Sequence, residues 1–252
     1  MTNIIEITSL KNELIKMIYK LQDSKHRKES GLILLDGEKT ILGLIEDGVE
    51  FEYLFLKKDN PIKANSKNVV YVTDEILKKL STVKTASSMV GVIKEPGIKQ
   101  EDFINLDKII LIENIKDSGN LGTIIRSANA FGVRGIILFG DCVDLYSAKV
   151  IRSATQNMFK IPVLRTSDIE LIKKLKKNHK LISTVVRGGE DFMKYDFKKP
   201  FILAFGSEAD GISAELANLS DDKLTLFMDN NVESLNLGIC ASIACFWIKF
   251  NS

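Results

Sequence analysis

The sequence predicts an α/β protein in two parts, and three observations carry that reading. Over residues 108–252, short uninterrupted apolar runs alternate with segments of helical periodicity, the pattern of a parallel sheet covered on both faces by helices. Over residues 1–97 a smaller set of the same elements recurs. Between them, residues 94–107 bring Pro96, Gly97 and several charges together without periodicity, the composition of a connecting segment. The expected organisation is a small domain over 1–97, a linker over 98–107 and a larger domain over 108–252. At about 150 residues per domain, the length allows this division.

In chain order, residues 9–22 set Leu10, Leu14, Met17, Ile18 and Leu21 at helical spacing behind a candidate N-cap, Ser9. Residues 32–35 form an apolar run of strand length, and 38–47 read as a helix stopped by Gly48. Residues 51–56 and 69–72 read as strands, 73–80 as a short helix and 89–93 as another strand. In the second part, strands are expected at 108–112, 135–139, 181–186, 201–204 and 224–227. Helices are expected near 121–130, 147–153, 169–177, 214–218 and 234–250. Sheets of this kind bind ligands in the loops at the carboxyl ends of their strands.

Composition narrows the function classes. Hydrophobic residues make up 45% and charged residues 27%, the balance of a folded globular chain, which excludes a disordered tail, a collagen-like protein and a coiled coil. No run approaches the ~18 apolar residues of a membrane helix. Residues 1–18 carry Glu6, Lys11, Glu13 and Lys16, so no signal-peptide core is expected there. Cys142, Cys240 and Cys245 include no CxxC pair and fit a reducing compartment, so a cytoplasmic location is expected. His26 and His179 are far apart, Cys240 and Cys245 read as buried thiols on an apolar helix, and no HExxH is present. No metal is expected, and neither histidine suits a nucleophilic triad. Charge is uninformative: residues 1–97 hold 15 Lys+Arg against 14 Asp+Glu, and residues 98–252 hold 20 against 19. The basic run Lys25-His26-Arg27-Lys28 reads equally as a local cationic patch or as a solvated helix end.

Three polar, glycine-bearing segments follow strands of the second part. The first runs from Glu113 to Arg126, with Asn114 and Asn120 flanking a turn and Arg126 early in a helix. The second is 205–213, where Gly206 and Gly211 permit tight backbone geometry around Glu208. The third, 229–236, carries Glu233, Ser234, Leu235 and Asn236 into a long apolar helix. Each alone reads equally as turn and cap chemistry.

Together, in this order and spacing, they resemble the SpoU/TrmH family of the SPOUT superfamily, S-adenosylmethionine-dependent RNA ribose 2′-O-methyltransferases. The pattern N…GN(L/V)GxIxR is matched by Asn114, Gly119, Asn120, Leu121, Gly122 and Arg126, and GxExxG by Gly206, Glu208 and Gly211. The pattern (I/L)xMxGxxESLN is matched by Leu226, Met228, Glu233, Ser234, Leu235 and Asn236. The opening residues, with Lys25, Arg27 and Gly31 to Gly37, are similar to that family's small ribosomal-protein-like RNA-binding domain.

The resemblance implies a C-terminal α/β-knot, a deep trefoil knot built on a parallel sheet with helices on both faces. It implies a donor site for S-adenosyl-L-methionine at Gly206, Leu226 and Leu235, with Thr184 nearby. It implies a catalytic role for Arg126, and positioning roles for Asn114, Glu208, Ser234 and Asn236. RNA would be held by Lys25, Arg27 and Lys28. The expected partners are RNA and a second copy of the chain, paired through the knotted domain, with no membrane and no metal. Ribosomal RNA is favoured over transfer RNA because the first domain resembles those of rRNA-modifying members. A guanidinium stays protonated below pH ~12. Arg126 is therefore expected to clamp a phosphate and stabilise an oxyanion, and not to act as a base. The alternatives are a tRNA 2′-O-methyltransferase and a non-catalytic RNA-binding protein of the same fold. Two positions depart from the pattern: Asn230 stands for the usual glycine, and Gln156 stands where glycine is common after Arg152.

Overall fold

A computed structural model describes residues 2–60, 62–82, 87–198, 200–229 and 233–251. The chain forms two compact units, Met1–Pro96 with Asp144–Gln156, and Gly97–Val143 with Asn157–Ser252.

The first unit opens with strand β1 (Asn3–Ile7), which was not foreseen, and helix α1 (Glu13–Lys20). Asn12, not Ser9, caps α1: its side chain accepts the Leu14 N–H at 2.9 Å, while Ser9 shapes the preceding turn by accepting the Lys11 N–H. The basic run becomes a helix of its own, α2 (Ser24–Ser30), capped by Asp23 and closed by Gly31 at φ +65°. Next come β2 (Leu32–Asp36), α3 (Glu38–Glu46), β3 (Phe51–Leu56), β4 (Ser66–Val72), α4 (Asp74–Leu80) and β5 (Met89–Lys94). The sheet order is β1-β4-β3-β5-β2; β1, β4 and β3 run parallel, and β5 is antiparallel to both its neighbours. Ile15 and Ile18 of α1 and Leu77 of α4 pack with Phe55, Val70 and Val92 of the sheet as one core.

The second unit begins with β6 (Lys108–Glu113), α5 (Ser118–Ala130) and β7 (Gly135–Phe139). Helix α6 (Ala148–Ala154) then returns to the first unit and packs on β2, burying Val150, Ile151 and Ala154. The sequence reading, which kept 108–252 together, did not anticipate this contact of α6 with β2. Gln156, the departure from the family pattern, is used in the same place. A Cβ on Gly43 of α3 would lie 2.7 Å from Gln156 Cδ, so the longer side chain fills a notch that only glycine leaves open.

The chain continues through β8 (Val163–Thr166), α7 (Ile169–Lys176), β9 (Lys180–Thr184), β10 (Glu190–Asp191), β11 (Phe201–Phe205), α8 (Ala214–Leu219), β12 (Asp222–Thr225) and α9 (Leu237–Asn251). The seven strands form one all-parallel sheet, β10-β12-β9-β11-β6-β7-β8. Strands β6, β7 and β11 are buried almost throughout, as their continuous apolar sequences require. The expected linker is built into this unit: Phe103, in a single 3₁₀ turn at Gln100–Phe103, is fully buried in its core. No helix among the described residues is long and apolar enough to cross a membrane, and they contain no cluster of metal-ligating side chains.

Candidate active site

Strands β12, β9 and β11 are neighbours, so the loops leaving their carboxyl ends meet although they lie far apart in sequence. They enclose a cavity of about 530 Å³, within the ~300–1,000 Å³ of small-molecule sites. Thr184 ends β9 and Val185 and Val186 follow it, Phe205 ends β11 and Gly206–Gly211 follow it, and Leu226 and Met228 follow β12. Glu233–Leu237 and Cys240 complete the wall at the start of α9.

The loop after β11 is pinched shut. Ser207 and Gly211 exchange backbone hydrogen bonds at 3.2 and 3.1 Å, and Gly211 sits at φ +69°. A Cβ at Gly206 would overlap the Gly211 backbone, so both glycines are steric requirements of the turn. The pinch presents Glu208 at the rim, where Asn120 Nδ2 donates to Glu208 Oε1 at 2.5 Å. Asn120 is held in turn because its own N–H is capped by Asp117 Oδ1 at 2.7 Å. Its motif match was legible in the sequence, but its role as the partner of Glu208, 88 positions away, was not.

At the floor, the Thr184 hydroxyl donates to the Ala204 carbonyl at 3.0 Å, tying β9 to β11. Asn236 caps α9 by accepting the Ile239 N–H at 3.2 Å, so this helix starts three residues later than expected and leaves Ser234 and Leu235 lining the cavity. Cys240 is half-buried and faces the cavity, and burial raises its thiol above the usual range; only Cys245 is fully buried.

The structure thus brings together Thr184, Gly206, Glu208, Leu226, Ser234, Leu235 and Asn236. It does not bring Asn114 or Arg126 to the cavity lining. Asn114 is a turn residue at φ +54°; its Oδ1 accepts the Asp141 N–H at 2.8 Å and its N–H donates to Phe139. These contacts fix the Asn114 backbone at the end of β6, in the turn that leads to α5. Arg126 is exposed on α5, six residues and about 9 Å of helix axis beyond Asn120. Glu113, which opens the first polar segment but was given no role there, is buried at the end of β6 and accepts the Ser213 N–H at 2.8 Å, fixing the exit of the Gly206–Gly211 loop. Asn230 lies outside the described residues.

In the first unit, Lys25 and Lys28 are exposed, but Arg27 is only 7% exposed. Its guanidinium donates to the Leu21 and Gln22 carbonyls and pairs with Asp144. Of the three basic residues expected to hold RNA, Arg27 is thus engaged in packing, while Lys25 and Lys28 stand exposed.

Known proteins resemble the chain over nearly its whole length. Residues 107–246 match the SpoU rRNA Methylase family, and residues 12–91 match the MRM3-like substrate binding domain. The chain is 30% identical to an uncharacterised tRNA/rRNA methyltransferase of Synechocystis, over 97% of this chain and 93% of that one. It is 25% identical to the 23S rRNA (guanosine(2553)-2′-O)-methyltransferase RlmP of Bacillus subtilis, over 97% and 99%. An rRNA methyltransferase from Sinorhizobium meliloti, crystallised with AdoMet bound, superposes with a TM-score of 0.86 over 98% of both chains at 25% identity. The chain belongs to the SpoU rRNA methylase family.

Proposed function

We propose that this protein transfers a methyl group from S-adenosyl-L-methionine to a ribose 2′-hydroxyl of ribosomal RNA. The observation that carries the reading is the cavity. Four residues named from sequence for the donor, Thr184, Gly206, Leu226 and Leu235, line one hollow with Glu208, Ser234 and Asn236.

The residues present fit that donor. Leu226, Leu235 and Met228 give apolar walls for an adenine ring, and the loop pinched at Gly206 lets backbone groups approach a nucleoside that carries no phosphate. When bound, S-adenosylmethionine supplies a methyl group on an electrophilic sulfonium. Glu208, fixed by Asn120, is an acceptor for a ribose hydroxyl at the rim, and Ser234 and Asn236 add hydrogen-bonding groups beside it. Holding the reacting hydroxyl in place is an orientation effect worth several kcal/mol. Arg126, always cationic, grips the substrate phosphate and stabilises the oxyanion as the 2′-hydroxyl loses its proton to a phosphate oxygen or water.

The match to a substrate binding domain over residues 12–91 supports RNA recognition by the first unit, with Lys25 and Lys28 as its exposed basic pair on α2. The relatives named for rRNA support ribosomal RNA as the substrate. The family's deep trefoil knot and a homodimer through the second unit complete the reading. Ile239, Phe246 and Phe250 stand exposed on α9, and Phe131 packs edge-on against Phe246 at 5.5 Å between centroids. An apolar face of this kind calls for cover. Mapping 2′-O-methyl sites in total RNA from cells with and without the protein tests the proposal: one ribosomal position should lose its methyl group. An unchanged methylation map would refute it.

A further inference from the structure

We infer that a hollow beside the donor cavity, formed by Val186, Arg187, Gly188, Phe227 and Asp229, is a subsite for one unpaired base of the RNA substrate. The inference rests on the reading of the chain as an RNA methyltransferase. The hollow measures about 240 Å³, smaller than a complete small-molecule site of ~300 Å³ or more, and suited to one part of a larger ligand. It shares Val186 and Met228 with the donor cavity, so an occupant lies next to the place where the target ribose must arrive.

Its surface chemistry is that of a base-stacking platform. The Phe227 ring is 66% exposed and Val186 is 52% exposed, although both belong to loops at the carboxyl ends of strands buried in the sheet. Arg187 is exposed and makes no hydrogen bond or ion pair among the described residues. An exposed aromatic face beside a guanidinium is how proteins hold splayed, single-stranded bases: the ring takes the base's π-face and the cation takes the adjoining phosphate or stacks in its turn. Asp229 adds an acceptor for the exocyclic amino group that adenine, guanine and cytosine carry and uracil lacks. Gly188, at φ +82°, turns the loop without a side chain in the way. The donor needs none of this, because neither Phe227 nor Arg187 lines its cavity.

The test uses the full-length protein, saturating S-adenosylmethionine and a short single-stranded RNA carrying 2-aminopurine, whose fluorescence falls when the base stacks. The parent protein should quench the probe. Phe227→Ala should lose the quench and bind the RNA about tenfold more weakly, and Phe227→Trp should restore both. Arg187→Ala should weaken binding and lower its salt slope by about one. Donor affinity by calorimetry and solution mass should match the parent in every variant. Unchanged RNA affinity and quench in Phe227→Ala would overturn the subsite. So would a parallel loss of donor affinity, which would make Phe227 part of the donor site, or a change in mass, which would make it a contact with a second copy. A parent that methylates total RNA while Phe227→Ala is unaffected defeats the subsite alone. A parent that binds donor but neither binds RNA nor methylates it defeats the methyltransferase reading as well.

Discussion

Arg126 stands exposed on α5 and outside the proposed donor cavity, so on that reading its replacement separates chemistry from donor binding. Arg126→Ala should keep its affinity for S-adenosylmethionine and lose methyl transfer by a factor of ~10² or more, the usual cost of removing one transition-state donor. Arg126→Lys keeps the charge but not the planar fork. A large loss there would indicate bidentate phosphate gripping, and near-parental activity a simple charge effect. An alanine variant that methylates at the parent rate would defeat both versions. Arg27 carries the same charge and does different work. Breaking its contacts leaves two carbonyls and Asp144 without their donor. Removing one partner of a buried ion pair costs ~3–5 kcal/mol, and because Asp144 is a quarter exposed the expected loss for Arg27→Gln is about 2–3 kcal/mol in urea unfolding. Reversing charge at Lys25 and Lys28 should leave stability alone, weaken RNA binding and lower its salt slope by about two. If that double variant binds RNA like the parent, α2 is merely solvated surface.

At the scale of elements, two devices hold the second unit's edge and its last helix. Tyr195 donates its hydroxyl to Asp222, the carboxylate also paired with Lys180, and so fastens the segment after β10 to β9 and β12. Burial, reinforced by the neighbouring carboxylate, pushes the Tyr195 phenol up to about 12, and Asp222 holds the Lys180 ammonium above the usual lysine range. Burial alone would raise Asp222, but hydrogen bonds from Lys180 and Tyr195 outweigh it and hold the carboxyl below its ordinary value. A carboxyl lowered by folding stabilises fully above its unfolded value, near pH ~4, and that contribution is lost as pH falls through the lower folded value. Lys180 is 40% exposed and its charge partly screened. Asp222→Asn should therefore cost about 1 kcal/mol, roughly 2–4 °C in Tm, at pH 7, with the difference shrinking toward pH 3. A constant deficit across that range would argue for lost packing instead. On α9, burial pushes the Cys245 thiol up to about 12, so it should resist alkylation in the native protein. Cys240 faces the proposed donor cavity, and saturating S-adenosylmethionine should slow its labelling by N-ethylmaleimide. Equal labelling with and without donor would place the donor elsewhere.

For the whole molecule, the return of α6 to the first unit means that a cut in the chain before Gly97 does not separate the units. A fragment of residues 97–252 keeps α6 but loses β2, on which it packs, leaving Val150 and Ile151 uncovered. It should melt at a lower temperature than the full chain in calorimetry; an equal Tm would show that α6 finds cover without the first unit. The proposed pairing through α9 predicts a light-scattering mass of twice 28.2 kDa, and Phe246→Glu should shift it toward the single-chain value.

Much of this protein was legible before folding. Continuous apolar runs in β6, β7 and β11 must leave water whatever their surroundings, and Gly206 and Gly211 announce a turn that other residues cannot make. The order of the three polar segments was enough to name a family and seven of the cavity's residues. What escaped depends on partners remote in the chain. Strand β1 buries only Ile7 and exists by pairing with β4, more than sixty positions away. Asn114 and Asn120 are both asparagines of one motif, yet one closes a turn and the other holds Glu208, because only the packing of α5 beside the β11 loop tells them apart. Arg27 and Lys28 are adjacent basic residues on a seven-residue helix, and whether each meets solvent or a carboxylate was settled by where Asp144 arrives. Local periodicity reports which side chains must be buried; the group each one meets is chosen by long-range closure of the chain, which no single segment encodes.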